Sequence, residues 1–248
     1  MSTSLPWPTG YSHIHFDTID STNEEARRLA ASGETGPLWI TADEQTAGRG
    51  RRGRSWMSPM RNLSATLLLG SRRPTAECAQ LSFVSAIAAA DMVAHFAPGA
   101  EVKVKWPNDV LANGRKISGI LLESASAGGE PYFLALGIGI NLAHFPDAAE
   151  FPATSLAALG VPAPCLGEGI RQLAACFSKW YDIWRGQGLT PIRDAWLARA
   201  ANLGGRIRVR LTSGETSGMF EGIDETGALL LRESADRLRV IAAGEVFF

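Results

Sequence analysis

The chain has 248 residues, room for one sizeable catalytic domain and a small appendage. Hydrophobic side chains make up 46% of it and charged ones 20%, which excludes a disordered chain, and a formal net charge of −1 argues against coating nucleic acid or a membrane surface through bulk charge. Three cysteines without a C-x-x-C pair, no apolar leader at the amino end and no apolar run approaching the ~20 residues that span a bilayer point away from disulfide frameworks, structural zinc, secretion and membrane insertion, and toward a reducing cytoplasm.

Ser21-Thr22-Asn23-Glu24 has the form of a capping box, and Ala26, Leu29 and Ala30 follow at helical spacing before Gly33, so a helix is expected over 22–31. Residues 38–42 read as a strand leading into a glycine- and arginine-rich loop. Residues 63–70 read as a buried strand, and the Ala-rich stretch 76–96, closed by Pro98-Gly99, as one core helix. In 102–106 apolar and basic side chains alternate, placing Lys103 and Lys105 on one strand face that Pro107 ends. Asn113-Gly114 is a type I′ hairpin signal joining Val110-Leu111 to a strand at 116–122, and a further strand at 132–140 follows a Gly128-Gly129 turn. Helices are expected at 167–185 and 191–201, with Trp180, Trp184 and Trp196 at packing positions. Short β segments then follow at 206–211, 216–223, 228–232 and 238–242. Gly204-Gly205 marks the expected boundary between an α+β catalytic domain, 1–203, and a β-rich tail, 204–248.

The sharpest chemical feature is Gly48-Arg49-Gly50-Arg51-Arg52-Gly53-Arg54, four arginines within six residues. Residues 45–76 hold seven arginines and no Asp or Glu, so the local potential suits a polyphosphate or a carboxylate, and the glycines let backbone amides approach it. The plain alternative is an exposed basic loop. The same residues match G-x-G-x-x-G, but Ser55-Trp56-Met57-Ser58-Pro59 is a poor helix start and no acidic residue follows at ribose-binding distance, so a dinucleotide site is rejected. No P-loop motif is present. A second constellation is Lys105-Trp106-Pro107-Asn108-Asp109 with Lys116 seven residues after Asp109: a turn presenting an amide and a carboxylate, and an ammonium that can meet a carboxylate or phosphate. Read alone, Pro-Asn-Asp is an ordinary loop. Gly137-Ile138-Gly139-Ile140-Asn141 allows close ligand approach at a strand end. His13 and His15 sit at strand spacing without further Cys or His nearby and read as ordinary β residues.

Five motifs in order, Asp20-Ser21-Thr22-Asn23, residues 45–54, residues 105–109, Lys116-Ile117-Ser118-Gly119-Ile120 and residues 137–141, resemble those of bacterial biotin–protein ligases. The resemblance extends over about residues 16–248 and implies a mixed-sheet catalytic domain of the biotin/lipoate ligase type with a small C-terminal SH3-like β-barrel. It implies ATP and biotin as substrates, Mg²⁺, biotinyl-AMP as intermediate, and transfer to a lysine of the biotin carboxyl carrier protein of acetyl-CoA carboxylase. By the same resemblance Ser21, Thr22, Gln45, Gly48, Arg49, Lys116 and Gly119 would bind biotin. Arg51, Arg52, Trp56, Asn108 and Asn141 would bind the nucleotide, and Arg51, Lys116 and Asp109 would serve catalysis; the Mg²⁺ ligands are left open. A homodimer through a sheet edge is also implied. Ser21 lies so near the amino end that no preceding helix-turn-helix domain, and hence no repressor function or nucleic-acid partner, is expected. The nearest rival is a lipoate or octanoate ligase, against which the arginine loop and the β tail count. A non-catalytic biotin or nucleotide sensor is the other, disfavoured by the intact Arg51 and Lys116.

Overall fold

The computed structural model describes residues 5–127, 130–147 and 150–248, and the expected Gly128-Gly129 turn lies outside them. In chain order the elements are β1 (Ser12–Ile19), α1 (Thr22–Ala31), β2 (Leu38–Gln45), β3 (Leu63–Leu69), α2 (Thr75–Ala79), α3 (Leu81–Phe96), β4 (Val102–Lys105), β5 (Asp109–Ala112), β6 (Arg115–Ala127) and β7 (Glu130–Ile140). They continue with α4 (Leu166–Gln187), α5 (Leu189–Leu197), β8 (Arg206–Leu211), β9 (Gly214–Ile223), β10 (Leu229–Ser234), β11 (Arg237–Ile241) and β12 (Glu245–Phe247). The first seven strands form a mixed sheet, ordered β1-β2-β3-β7-β6-β5-β4, in which β1 and β2 run parallel through the α1 crossover and the other pairs are antiparallel. The last five form an antiparallel sheet, ordered β11-β10-β9-β8-β12.

Strand periodicity divides the large sheet into two faces. Leu63, Ala65 and Leu67 of β3 and Leu134, Leu136, Ile138 and Ile140 of β7 join the main core, which includes α3 and α4. Leu68, Phe133 and Ala135 point the other way, packing with Ile40 and with Ala26 of α1. Each fully buried Leu or Ile in these layers contributes about 1.5–3 kcal/mol over an exposed one. The alternating residues left on the α1 face, Ser64, Thr66, Gly137 and Gly139, are polar or lack a side chain, and the site is built on them.

Several elements depart from the sequence expectation. The single helix over 76–96 is two, α2 and α3, meeting at Gln80, whose side chain accepts the Trp184 indole N–H at 2.8 Å. Together they form the one helix among the described residues long and apolar enough to cross a membrane. Their apolar surface is instead consumed by packing, since Leu81, Val84, Ile87, Ala88 and Met92 are all buried in the main core. The helix expected at 191–201 stops at Leu197 because its continuation pairs with β4: Val104 N–H donates to Arg199 O and Ala201 N–H to Val104 O. Ser21 is the N-cap residue of α1, yet its side chain makes no capping hydrogen bond. The Asn113-Gly114 turn has φ of 49° and 75°, as a type I′ hairpin requires.

The small sheet is not a loose appendage. Phe83 of α3 meets Trp196 edge-on at 5.7 Å, Trp196 meets Phe220 of β9 at 6.4 Å, and the Trp106 indole N–H donates to Gly227 O at 3.1 Å.

Candidate functional site

One residue per strand crosses the α1 face of the sheet in register: Ala42 on β2, Ser64 on β3, Gly139 on β7, Gly119 on β6, Asp109 on β5 and Lys105 on β4. From Ser64 to Lys105 this row is the floor of a cavity walled by the start of α1, the arginine loop and the Trp106-to-Asp109 turn. A methyl group at 139 would overlap the Trp56 indole, and one at 119 would sit 3.1 Å from it, so the two glycines let the tryptophan lie on the sheet. A methyl at 137 would overlap the Asn23 amide in the same way.

One end of the cavity is neutral and hydrogen-bonded. Thr22 donates to Gln45 Oε1 from its N–H (2.8 Å) and its hydroxyl (3.1 Å), and Gln45 Nε2 donates to Ser58 Oγ at 2.7 Å. Thr66 Oγ1 lies 2.8 Å from Thr22 Oγ1 and 2.6 Å from Asn23 Oδ1, while Asn23 Nδ2 donates to Glu123 Oε2 at 2.7 Å. Asp20 accepts the Ser21 N–H at 2.7 Å, and its hydrogen bonds from Arg28 hold its carboxyl at about 2. Residue orientation is thereby set before any ligand arrives.

The other end is cationic. Lys116 Nζ lies 2.6 Å from Asp109 Oδ1, and Lys105 Nζ lies 3.8 Å from Asp109 Oδ2 and 3.4 Å from the centroid of the Phe151 ring. Lys105 is only 5% exposed, and burial pulls its ammonium down to about 8 despite the acidic neighbours. Asn108 donates from Nδ2 to Ile120 O at 2.6 Å and accepts from Arg51 at 3.3 Å. Burial, with Arg52 alongside, also lowers the Arg51 guanidinium. Two ammonium groups and a guanidinium around one carboxylate leave an excess of positive charge, suited to a carboxylate or phosphates.

The arginine loop is folded, not a free basic tail. Trp56 N–H donates to Gly48 O at 2.9 Å and Gly50 N–H to Arg54 O at 2.8 Å, and a 3₁₀ turn spans Arg51–Gly53 with Arg52 left-handed at φ 58°. Arg49 pairs with Glu24 (2.6 Å) and Glu123 (3.0 Å), and Arg54 with Glu245 of β12 (2.6 Å) and Glu150 (3.1 Å).

Ser21, Thr22, Gln45, Arg49, Arg51, Trp56, Asn108, Asp109, Lys116 and Gly119 all line this cavity. Gly48 lies behind it as the acceptor for Trp56, and Arg52 is exposed on the loop. Asn141 lines a neighbouring cavity on the far side of Trp56, shared with Lys116, Arg54 and Phe151, where its Nδ2 donates to Thr154 O at 3.0 Å. Asn23, Ser64, Phe151 and Glu245 also line the main cavity and are missed by sequence reasoning. Ser64 and Thr66 are the polar positions of an otherwise apolar strand, a signal that could have found Ser64; Phe151 and Glu245 arrive through tertiary packing alone. His13 and His15 lie on β1, both meeting Thr41 Oγ1 (2.8 and 3.0 Å), and neither lines the cavity. His15, Asp17 and Asp43 gather there as a solvent-facing group.

Residues 15–141 match the Biotin/lipoate A/B protein ligase family, and residues 203–248 match the Biotin protein ligase C terminal domain. The chain is 47% identical over 235 residues to a biotin–[acetyl-CoA-carboxylase] ligase of Paracoccus denitrificans, covering 92% of this chain and 97% of the relative. It is 34% identical to the bifunctional ligase/repressor BirA of Bacillus subtilis, covering 93% of this chain and 72% of that one. Among solved structures it resembles the biotin protein ligase of Aquifex aeolicus in complex with biotin and ATP, at a TM-score of 0.81 and 26% identity, covering 95% of this chain and 97% of that one. With this likeness running across both sheets and the cavity between them, the chain belongs to the biotin/lipoate A/B protein ligase family.

Proposed function

We propose that the protein is a biotin–protein ligase: it joins biotin to the α-phosphate of ATP, releasing pyrophosphate, and passes the biotinyl group to a lysine of a carrier protein. The observation that carries this reading is one cavity with a neutral, hydrogen-bonding end at Thr22 and Gln45 and a cationic end at Lys116, Lys105 and Arg51, joined by a glycine floor. A urea-bearing ring suits the first, a carboxylate and phosphates suit the second, and an acyl chain reaches between them by displacing the Trp56 indole from Gly119 and Gly139.

In this mechanism Ser21, Thr22, Gln45 and the backbone of Gly48 and Arg49 hold the head of biotin. The Ser21 hydroxyl is left unused by the helix it caps and is available for this. Lys116 turns from Asp109 to the biotin carboxylate and stays with the acyl phosphate, while Arg51 holds the phosphate and restrains escape of the adenylate. Trp56, with Asn141 on the far side of its indole, receives the nucleotide, with Arg52 at the loop surface reaching its phosphates. Both steps build negative charge at these cations, which stabilise the transition state more than the ground state. Asp109, freed from Lys116, orients the incoming lysine, whose neutral amine attacks the acyl carbonyl as AMP leaves and the released proton passes to solvent.

Asn108 Oδ1 and Asp109 fit Mg²⁺ in one respect: a single carboxylate beside an amide oxygen suits a cation that keeps most of its ligands as water and substrate phosphate. The ion would supply neutralisation of the leaving pyrophosphate.

The acceptor proposed is the biotin carboxyl carrier protein of acetyl-CoA carboxylase, as the name of the Paracoccus relative suggests. Ligase activity is supported by 47% identity over nearly the whole length of that relative. Three free cysteines fit a cytoplasmic setting, and β1, which ends the large sheet, is the edge proposed for a homodimer. Incubation with biotin, ATP, Mg²⁺ and an apo carrier domain should add one biotinyl mass to the carrier; an unmodified carrier would reject the transfer step.

A further inference from the structure

Thr66 and Ser64 are neighbours on the site face of β3, and only one of them is satisfied. Thr66 is taken by Thr22 and Asn23. Ser64 is 2% exposed, its Oγ has no hydrogen-bond partner, and it lines the main cavity. The other buried side-chain atoms left without a hydrogen bond among the described residues differ from it. Trp39 Nε1, Ser85 Oγ and Ser118 Oγ do not line the cavity, and Asp109 Oδ1 has Lys116 at 2.6 Å. A hydroxyl withdrawn from water without a partner is costly, and alanine would fill the same space between Ala42 and Gly139 free of that cost. The register also fixes where this hydroxyl stands. Three strand spacings, about 14 Å, separate Ser64 from Asp109, with Gly139 and Gly119 between. An acyl chain anchored by its acid group at Lys116, displacing the Trp56 indole from those two glycines, therefore carries its head back toward Ser64.

Resting on the biotin–protein ligase reading, we infer that Ser64 is a substrate-recognition residue whose hydroxyl donates a hydrogen bond to a heteroatom on the ring head of the acyl substrate. The cavity thereby favours a ring bearing an acceptor at the floor over a plain hydrocarbon chain. In biotin the acceptor is the thioether sulfur or the ureido oxygen.

Isothermal titration of the wild-type protein and Ser64→Ala with biotin and with desthiobiotin, which keeps the ureido group and lacks the sulfur, tests this. Ser64→Ala should weaken biotin about tenfold, the worth of one net hydrogen bond. The ligand-free variant should melt no lower than wild type because no native bond is lost. If desthiobiotin is weakened equally, the acceptor is the ureido oxygen; if it is unaffected, the acceptor is the sulfur. Unchanged biotin affinity in the variant, or a clearly lowered melting point of the ligand-free form, would overturn the assignment while leaving the ligase reading intact. A wild-type protein that binds neither ligand would remove both.

Discussion

Asp109 stands between two ammonium groups, and they differ in kind. Lys116, 24% exposed and 2.6 Å away, is a mobile partner that can be exchanged for a substrate carboxylate; Lys105, 3.8 Å away and buried, is a fixed charge whose pairing does not repay its desolvation. Lys116→Ala should therefore reduce biotin-dependent pyrophosphate release by about 10²–10³-fold, the usual effect of removing one preorganised charge donor, and unaltered release would take Lys116 out of the site. Arg51→Gly should release biotinyl-AMP into solution, read as indiscriminate biotinylation of bystander lysines; an adenylate that stays bound would refute the restraint assigned to Arg51. For Lys105 the sign follows from linkage. Its folded value of about 8 lies below the ordinary 10.5, so the unfolded chain binds more protons between the two and the contribution of this group to stability rises as pH climbs through that window. Lys105→Met should stabilise the protein by about 1–3 kcal/mol near neutral pH, the gain fading as pH approaches the ordinary lysine range. Denaturant titration near neutrality and in alkaline buffer measures it, and a loss of stability at neutral pH would mean that the Asp109 pair outweighs burial.

At the scale of elements, the site depends on strands that give up side chains. Gly139 carries no positive φ among the described residues, so its constraint is space beneath Trp56 and not backbone conformation. Gly139→Ala should displace the indole at the 1–3 kcal/mol typical of overpacking and weaken biotin binding by about tenfold to a hundredfold; titration calorimetry alongside a melting curve separates this from unfolding, and unimpaired binding would contradict the floor geometry. The same elements mark how far the fold could be read in advance. α1 and the Asn113-Gly114 hairpin are legible because their signals are local: a cap residue with helical spacing in one case, a dipeptide that tolerates two positive φ values in the other. β12 and the end of α5 are not, because three residues of β12 become a strand only by pairing with β8, and α5 stops where Val104 recruits its continuation. β1 alternates only over His13 to Phe16, too short a run to mark a strand by itself, and its partner β2 supplies the order. In the site, motif residues from Thr22 to Lys116 converge as their spacing and resemblance imply, whereas Asn141 falls on the other side of Trp56, an indole position that no local pattern encodes.

Across the whole molecule, the arginine loop and the C-terminal sheet are tied together by charge. Arg54 bridges Glu245 and Glu150, and Arg210 of β8 joins the same two carboxylates at 3.6 and 2.6 Å. Glu245 is nearly buried, with its side chain 11% exposed, so this network is held more tightly than an isolated surface pair. The small sheet thus acts as a support that keeps the loop folded over the cavity. Glu245→Ala should leave the core intact and loosen the loop, raising the rate of tryptic cleavage after Arg52 or Arg54 by about two- to fivefold, the equivalent of roughly 0.5–1 kcal/mol; an unchanged rate would mean that the loop holds itself.

The most direct test of the account is ATP–pyrophosphate exchange by the purified protein with Mg²⁺ and biotin, lipoate or octanoate supplied in turn. Exchange is expected with biotin and with neither of the other two acids. Exchange driven by lipoate or octanoate, or by none of the three, would contradict it.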